Sequence, residues 1–246
     1  ISGIRLITRF AACCILAMKS GLIAEDPFSG MATEIKLPKK KKIAGLSQIN
    51  PFSLEERDLI IRAIETDQFR PVCSAFTHSQ YAPIVKFLFF TGCRSSEASA
   101  LQWQNVSQGC EKITFDQAII LTDNGRRIRK GLKTQTSRMF PCNKTLKALL
   151  SSIRPDSPKP KEFVFPSPSG KPINLSNFRA RTWKTVLTGL GIPYRKLYQT
   201  RHTFITHALE TGKLDAKDVA RLVGNSPEVI YQHYAGQKRE LIVPDF

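Results

Sequence analysis

Residues 198–209 read YQTRHTFITHAL. Phe204, Ile205, Ala208 and Leu209 fall on one side of a helical repeat, so the segment predicts a helix with a face that demands burial. Arg201 and His202 stand inside that apolar frame, where charge is costly without a partner. A single arginine so placed most often belongs to a structural ion pair. His202 and His207 read as hydrogen-bonded core residues rather than catalysts.

The pattern stays helical on both sides. NFRARTWKTVLTGLG precedes the segment, and DAKDVARLVG and PEVIYQHYAG follow it. The last of these places Tyr231 and Tyr234 three apart beside His233; such a pair is usually packing, each ring burying its body and bonding its hydroxyl. Further upstream, SLEERDLIIRAIE opens with a capping signature, Ser53 followed three residues later by Glu56. Leu59, Ile60, Ala63 and Ile64 share one face of the helix it starts. Tyr81 to Phe90 is apolar nearly all round and predicts a deeply buried helix. TGCRSSEASALQW then turns at Gly92 into a third. Short β-type runs lie at residues 112–115, 118–122 and 137–142, with the basic stretch RIRKGLK before the last. Helices, a small antiparallel sheet, then helices again make an α+β fold, mostly helical.

The chain has 246 residues, long enough for one sizeable core, and 41% of them are hydrophobic. Thirty-seven Lys and Arg against 20 Asp and Glu give +17, which favours a polyanionic partner, nucleic acid or an acidic membrane surface. Six cysteines without a C-x-x-C pair, and four histidines without ligand spacing, argue against structural zinc. Such cysteine use suits a reducing compartment, and the expected location is the cytoplasm. The opening ISGIRLITRFAACCILAMKSGLI is interrupted by Arg5, Arg9 and Lys19, so it reads as neither signal peptide nor membrane span. Residues 5–18 instead predict a mostly buried helix, ended by Gly21 and Pro27. Without an initiator Met, the chain reads as a fragment or processed product. Residues 29–50 form a basic linker in which Lys39, Lys40, Lys41 and Lys42 are either a solvated tether or a phosphate-crossing segment.

Eight basic residues and no acid occupy positions 125–147, among them Arg126, Arg127, Arg129, Lys130, Lys133 and Arg138. One sign of charge along a hairpin is self-repelling unless a polyanion neutralises it, which points to phosphate contact. Arg94 begins a helix with Glu97 at i+3, a pair suited to fixing the guanidinium. Ser95 and Ser96 lack the acid–histidine partners of a serine nucleophile. No carboxylate cluster suggests two-metal hydrolysis.

TGCRSSE, GLKTQTSR, YQTRHTFITHAL, ARLVGNSPE and HYAG, in this order, resemble the tyrosine recombinase family, the phage-type integrases and their relatives. The resemblance runs from about Pro51 to Gly236. It implies a catalytic domain with C-terminal tail over residues 51–246. Residues 1–28 resemble only the last helix of the family's preceding core-binding domain, otherwise missing here. The implied chemistry is attack of a tyrosine hydroxyl on a DNA phosphate, giving a 3′-phosphotyrosine link and a free 5′-hydroxyl, with no metal or nucleotide cofactor. By resemblance Tyr234 is the nucleophile, Arg94 and Arg201 the phosphate-binding pair, Lys133 the general acid and Glu97 an orienting acid, while Tyr231 is left as packing. Two rigid bidentate cations suit the charge that grows on a pentacoordinate phosphorus. Two positions depart from the pattern: Tyr198 and Asn225 stand where the family usually has His, or His or Trp. Both can hydrogen-bond to phosphate, but neither titrates near neutral pH. The expected partners are duplex DNA and other copies of the chain, a monomer in solution forming a tetramer on DNA, with no membrane. The Gln237 to Phe246 tail would dock on a neighbouring copy or on its own domain. Alternatives are a catalytically impaired sequence-specific DNA-binding protein of the same fold, and a type IB topoisomerase-like relaxing enzyme.

Overall fold

The computed structural model describes residues 2–31, 49–74, 76–123, 125–132 and 137–234. They fall into two compact units, Ile1–Gln48 and Ile49–Phe246. Among the described residues no helix is long and apolar enough to cross a membrane.

The first unit holds α1 (Ser2–Lys19), closed where Gly21 turns left-handed at φ 69°. The helix is where the sequence places it, but it is not buried: Leu6, Phe10, Ile15, Leu16 and Met18 are all exposed. A single helix followed by one turn offers its apolar face little beyond the stacking of Phe10 on Phe28, centroids 5.5 Å apart.

The second unit begins with α2 (Leu54–Glu65). Its capping box forms as predicted: Ser53 Oγ accepts from the Glu56 N–H at 3.1 Å, and Glu56 Oε2 accepts from the Ser53 N–H at 2.9 Å. The buried face is Ile60, Ile61, Ala63 and Ile64; Leu59, expected inside, is exposed. Helix α3 (Ala82–Thr91) is the buried element its composition demands, with Ile84, Val85, Phe87 and Leu88 closed off from solvent. The helix predicted after Gly92 shrinks to a single turn, α4 (Ser95–Ala98).

The small sheet divides into two antiparallel ladders among the described residues. Strand β1 (Lys112–Phe115) pairs with β4 (Arg138–Pro141), setting Ile113 opposite Phe140. Strands β2 (Gln117–Thr122) and β3 (Gly125–Lys130) make a hairpin with Ile119 opposite Ile128. Helix α5 (Lys144–Ile153) follows, capped by Asn143, whose Oδ1 accepts from the Leu146 N–H at 2.9 Å. Helices α6 (Leu175–Phe178) and α7 (Lys184–Gly189) are joined through a π-helical turn, Arg179–Trp183. That turn delivers Trp183 into the main core beside Phe52, Phe89 and Phe178.

Three helices close the chain: α8 (Gln199–Glu210), α9 (Ala216–Val223) and α10 (Pro227–Tyr234). They share a second apolar cluster built on Ile205, Val219, Ala220, Val223, Ile230 and Tyr234. Helix α9 starts at Asp215, whose carboxylate accepts from the Asp218 N–H at 2.8 Å, and stops at Gly224, left-handed at φ 70°. This stop decides where the functional groups go, because the last carbonyls of a helix have no partner within it.

Candidate functional site

Three arginines, from three parts of the chain, converge on the C-terminus of α9. Arg138 Nε donates to the Leu222 carbonyl at 2.9 Å, Arg201 Nη1 to the Val223 carbonyl at 2.6 Å, and Arg94 Nη2 to the Gly224 carbonyl at 2.8 Å. Successive carbonyls at the negative end of a helix dipole are natural seats for cations. One buried carboxylate completes the frame: Glu97 accepts from Arg94 Nη1 at 2.8 Å and from Arg138 Nη2 at 2.6 Å. Burial alone would raise the Glu97 carboxyl, but the bonds and charges of Arg138 and Arg94 outweigh it and hold it below the usual carboxylate range. Three cations against one anion leave the cluster in need of negative charge.

The free donors show where that charge would sit. Arg201 is 1% exposed, and its Nη1 is taken by Val223 and, at 2.8 Å, by the Gly92 carbonyl. Its Nε and Nη2 are buried with no hydrogen-bond partner, as is Arg138 Nη1. Buried guanidinium N–H groups without acceptors are expensive in a folded protein unless a ligand supplies the acceptor. Burial, reinforced by Arg94 and Arg138, pushes the Arg201 guanidinium below its ordinary pKa. It stays charged at neutral pH.

Gly92 shapes this corner. It ends α3 at φ 59°, its N–H donating to the Leu88 carbonyl at 3.0 Å, and a Cβ on it would lie 2.6 Å from Phe204 Cδ1 on α8. Gly92→Ala is expected to cost about 1–2 kcal/mol in left-handed strain and about 1–3 kcal/mol in overpacking, read as a fall in the urea midpoint at unchanged slope. It would also shift the carbonyl that steadies Arg201.

Tyr234 lies at the end of α10, 5% exposed, with its hydroxyl against His202 Nδ1 on α8. Burial drives the phenol pKa well above its ordinary value, and the Arg201 charge opposes that rise. The His202 imidazole is pushed down to about 4, by burial first and then by the charges of Arg201 and His233. Tyr198 stands one turn before His202, half exposed, with ring centroids 5.1 Å apart in an edge-on contact. Asn225 Oδ1 faces Arg94 Nη2 at 3.4 Å.

Arg94, Arg201, Glu97, Tyr198, Asn225 and Tyr234, the six candidates that the motifs single out, gather around the end of α9 and the adjoining ends of α8 and α10. Lys133, in the connection between β3 and β4, and Lys39, Lys40, Lys41 and Lys42 lie outside the described residues. Arg126, Arg127, Arg129 and Lys130 are exposed along β3. Arg138 differs from the expected exposed cation. It is 6% exposed, sits 4.3 Å over the Phe115 ring and is committed to Glu97, because strand alternation puts it on the inward face with Phe140 while Met139 points out. Tyr231, expected to pack, is 54% exposed. His202, read as a core residue, touches the Tyr234 hydroxyl, a proximity that the helical repeat of either segment alone does not contain.

This fold, with Arg94, Arg201 and Tyr234 brought together, is that of a tyrosine recombinase catalytic domain. Residues 55–240 match the phage integrase family, and the chain belongs to that family. A tyrosine recombinase XerC-like protein of Caldanaerobacter subterraneus subsp. tengcongensis is 26% identical over 232 residues, covering 85% of this chain and 55% of the relative. The chain thus spans about half of that relative's length. Among solved structures, the Tn1549 transposon integrase in complex with a circular intermediate DNA aligns over 93% of this chain and 72% of its own, with a TM-score of 0.64 at 15% identity. XerA recombinase aligns over 86% of this chain and 68% of its own, with a TM-score of 0.54 at 18% identity. A lambda integrase dimer bound to a core site aligns over 97% and 61%, with a TM-score of 0.52 at 12% identity. At these identities the structures speak for the fold.

Proposed function

We propose that this chain is the catalytic part of a site-specific DNA recombinase that cleaves and rejoins duplex DNA through a 3′-phosphotyrosine intermediate. The observation that carries the reading is the buried, unpartnered Nε and Nη2 edge of Arg201, whose charge also acts on the Tyr234 phenol. A phosphodiester is an anion with oxygens to fill that edge, and a phenol is a nucleophile for its phosphorus.

In this reading Arg201 and Arg94 hold the non-bridging oxygens and stabilise the charge that accumulates on them as the Tyr234 oxygen attacks. Glu97 fixes the Arg94 rotamer through the 2.8 Å ion pair. Arg138 supports the site rather than contacting DNA, holding Glu97 at 2.6 Å. Tyr198 and Asn225 sit at the rim as hydrogen-bonding groups toward phosphate. Lys133 gives the departing 5′-oxygen its proton. The phosphotyrosine keeps the backbone bond's energy, so a 5′-hydroxyl can later displace the tyrosine with no external energy source. The exposed cations Arg126, Arg127, Arg129 and Lys130, together with Lys39 to Lys42, follow the DNA backbone in a salt-dependent manner. Exchange between two duplexes calls for several copies of the chain, with a tetramer on DNA as the expected assembly.

The test is covalent trapping with peptide mapping. The protein is incubated with nicked duplexes carrying candidate element ends, in the presence of a chelator, and SDS-resistant adducts are digested and sequenced by mass spectrometry. A nucleotide on Tyr234 supports the reading, and one on Tyr231 moves the nucleophile. Absence of any adduct on DNA that the protein binds would favour a binding protein of the same fold.

A further inference from the structure

The recombinase reading leaves one proton without an owner. The two positions where the sequence departs from its relatives' pattern hold Tyr198 and Asn225, which have no use as bases near neutral pH. Yet a buried phenol does not attack as phenolate, since burial makes it a weaker acid than usual.

Resting on that reading, we infer that His202 is a catalytic base of this site, its Nδ1 taking the Tyr234 proton during cleavage once a phosphate anion occupies the free edge of Arg201. The geometry comes first. The packing of α8, α9 and α10 around one apolar cluster brings His202 Nδ1 onto the Tyr234 hydroxyl from 32 residues away in sequence. Among the described residues, His202 is the imidazole in hydrogen-bonding contact with this oxygen. The phenol can donate to Nδ1 only if that nitrogen carries no proton, so the imidazole is neutral with its hydrogen on Nε2.

The electrostatics explain why the base is idle until DNA arrives. The charged or titratable groups around His202 are Arg201 beside it, Tyr198 a turn earlier, and Tyr234 and His233 from α10. Burial and the Arg201 charge hold the imidazole near 4, too weak to draw a proton from a buried phenol. A phosphate seated on Arg201 Nε and Nη2 offsets that charge and raises the basicity of the neighbouring ring. As the bond from the Tyr234 oxygen to phosphorus forms, the phenol proton becomes acidic and passes to Nδ1. The bond from phosphorus to the 5′-oxygen breaks, and that oxygen leaves with a proton from Lys133. Rejoining reverses both transfers: the 5′-hydroxyl returns its proton to Lys133, and the imidazolium reprotonates Tyr234. The substrate thus switches on the base that consumes it, and a DNA-free site keeps its nucleophile protonated.

His202→Asn tests this, because asparagine can place a side-chain group near the Nδ1 position but cannot titrate. Adduct formation is measured on nicked duplexes of randomised core sequence, with thermal melting to confirm the fold. The variant is expected to form adduct about 10²- to 10⁴-fold more slowly at neutral pH, and its rate should climb steadily with pH where that of the unsubstituted protein is flat. A second readout is the histidine side-chain nitrogen spectrum, in which the His202 titration midpoint should rise when a short duplex is added. That rise tests the switch, because a phosphate on Arg201 lifts any imidazole beside it, whereas the pH profile of the variant separates a base from a positioning histidine. Unchanged rate and pH profile in the variant, or an Nδ1 that carries the proton in the free protein, would overturn the role of His202 alone. No adduct from the unsubstituted protein on duplex that it binds would overturn the recombinase reading, and the role of His202 with it.

Discussion

Arg201→Lys is expected to slow covalent adduct formation by about 10³- to 10⁵-fold while leaving duplex binding nearly intact, as judged by single-turnover trapping beside filter binding. The charge is kept, so long-range attraction to the backbone survives, and the exposed cations of strand β3 are untouched. What is lost is the fork. Arg201 spends Nη1 on the carbonyls of Gly92 and Val223, and its Nε and Nη2 are buried without a partner. An ammonium has three donors on one atom, and serving the same two carbonyls leaves it one for phosphate, at the wrong reach. A transition state that spreads charge over several oxygens is therefore poorly met even though the ground-state anion still binds. If the lysine variant forms adduct within about tenfold of the starting rate, Arg201 is a structural cross-link between α3, α8 and α9 and the phosphate site lies elsewhere.

The fold was legible wherever one element's own pattern settles its state. Apolar spacing in α2 and α3, the Ser53–Glu56 capping box and the alternating runs of β1 and β4 depend on neighbours within one element. Errors arose where a partner element decides. Leu59 and Ile61 flank the same stripe of α2, and the packing against α3 and α7, not the helical repeat, selects Ile61 for burial. Arg138 has basic neighbours along the chain, and its position in sequence groups it with them. Strand alternation groups it with Phe140 instead, so attention to the period of two would have taken it out of the exposed set.

The candidate site was legible in its parts and not in its assembly. Arg94, Glu97, Arg201, Asn225 and Tyr234 were recognisable as residue types in ordered motifs. The feature that joins them, three guanidiniums on the successive carbonyls of Leu222, Val223 and Gly224, involves backbone atoms and leaves no mark in side-chain chemistry. His202 shows the same limit from the other side. On its own helix it is an imidazole among apolar residues, and burial of a neutral histidine is unremarkable there. Only α10 crossing nearby turns it into the neighbour of the Tyr234 hydroxyl.

Glu97→Gln is the second large effect, and it is one of stability. Removing one partner of a buried ion pair leaves the other charge without compensation, a loss of about 3–5 kcal/mol in urea unfolding at neutral pH. Here the stranded group is Arg138, whose Nη1 already lacks a partner and whose remaining ties are the Leu222 carbonyl and the Phe115 ring. The sign of the pH dependence follows from the direction of the Glu97 shift. Its carboxyl is held below the usual range in the folded state, so its contribution is complete above the unfolded value of about 4.3 and is lost as pH falls through the lower folded value. The stability gap between the two proteins should therefore be flat near neutrality and close in acid. A gap that persists unchanged into acid would mean that the glutamine is costly for its shape, not its charge. The variant also frees the Arg94 guanidinium from its 2.8 Å partner, so adduct formation should fall even under conditions where the fold is intact. An arginine that must find its rotamer anew at each turnover is a weaker clamp than one held in place beforehand.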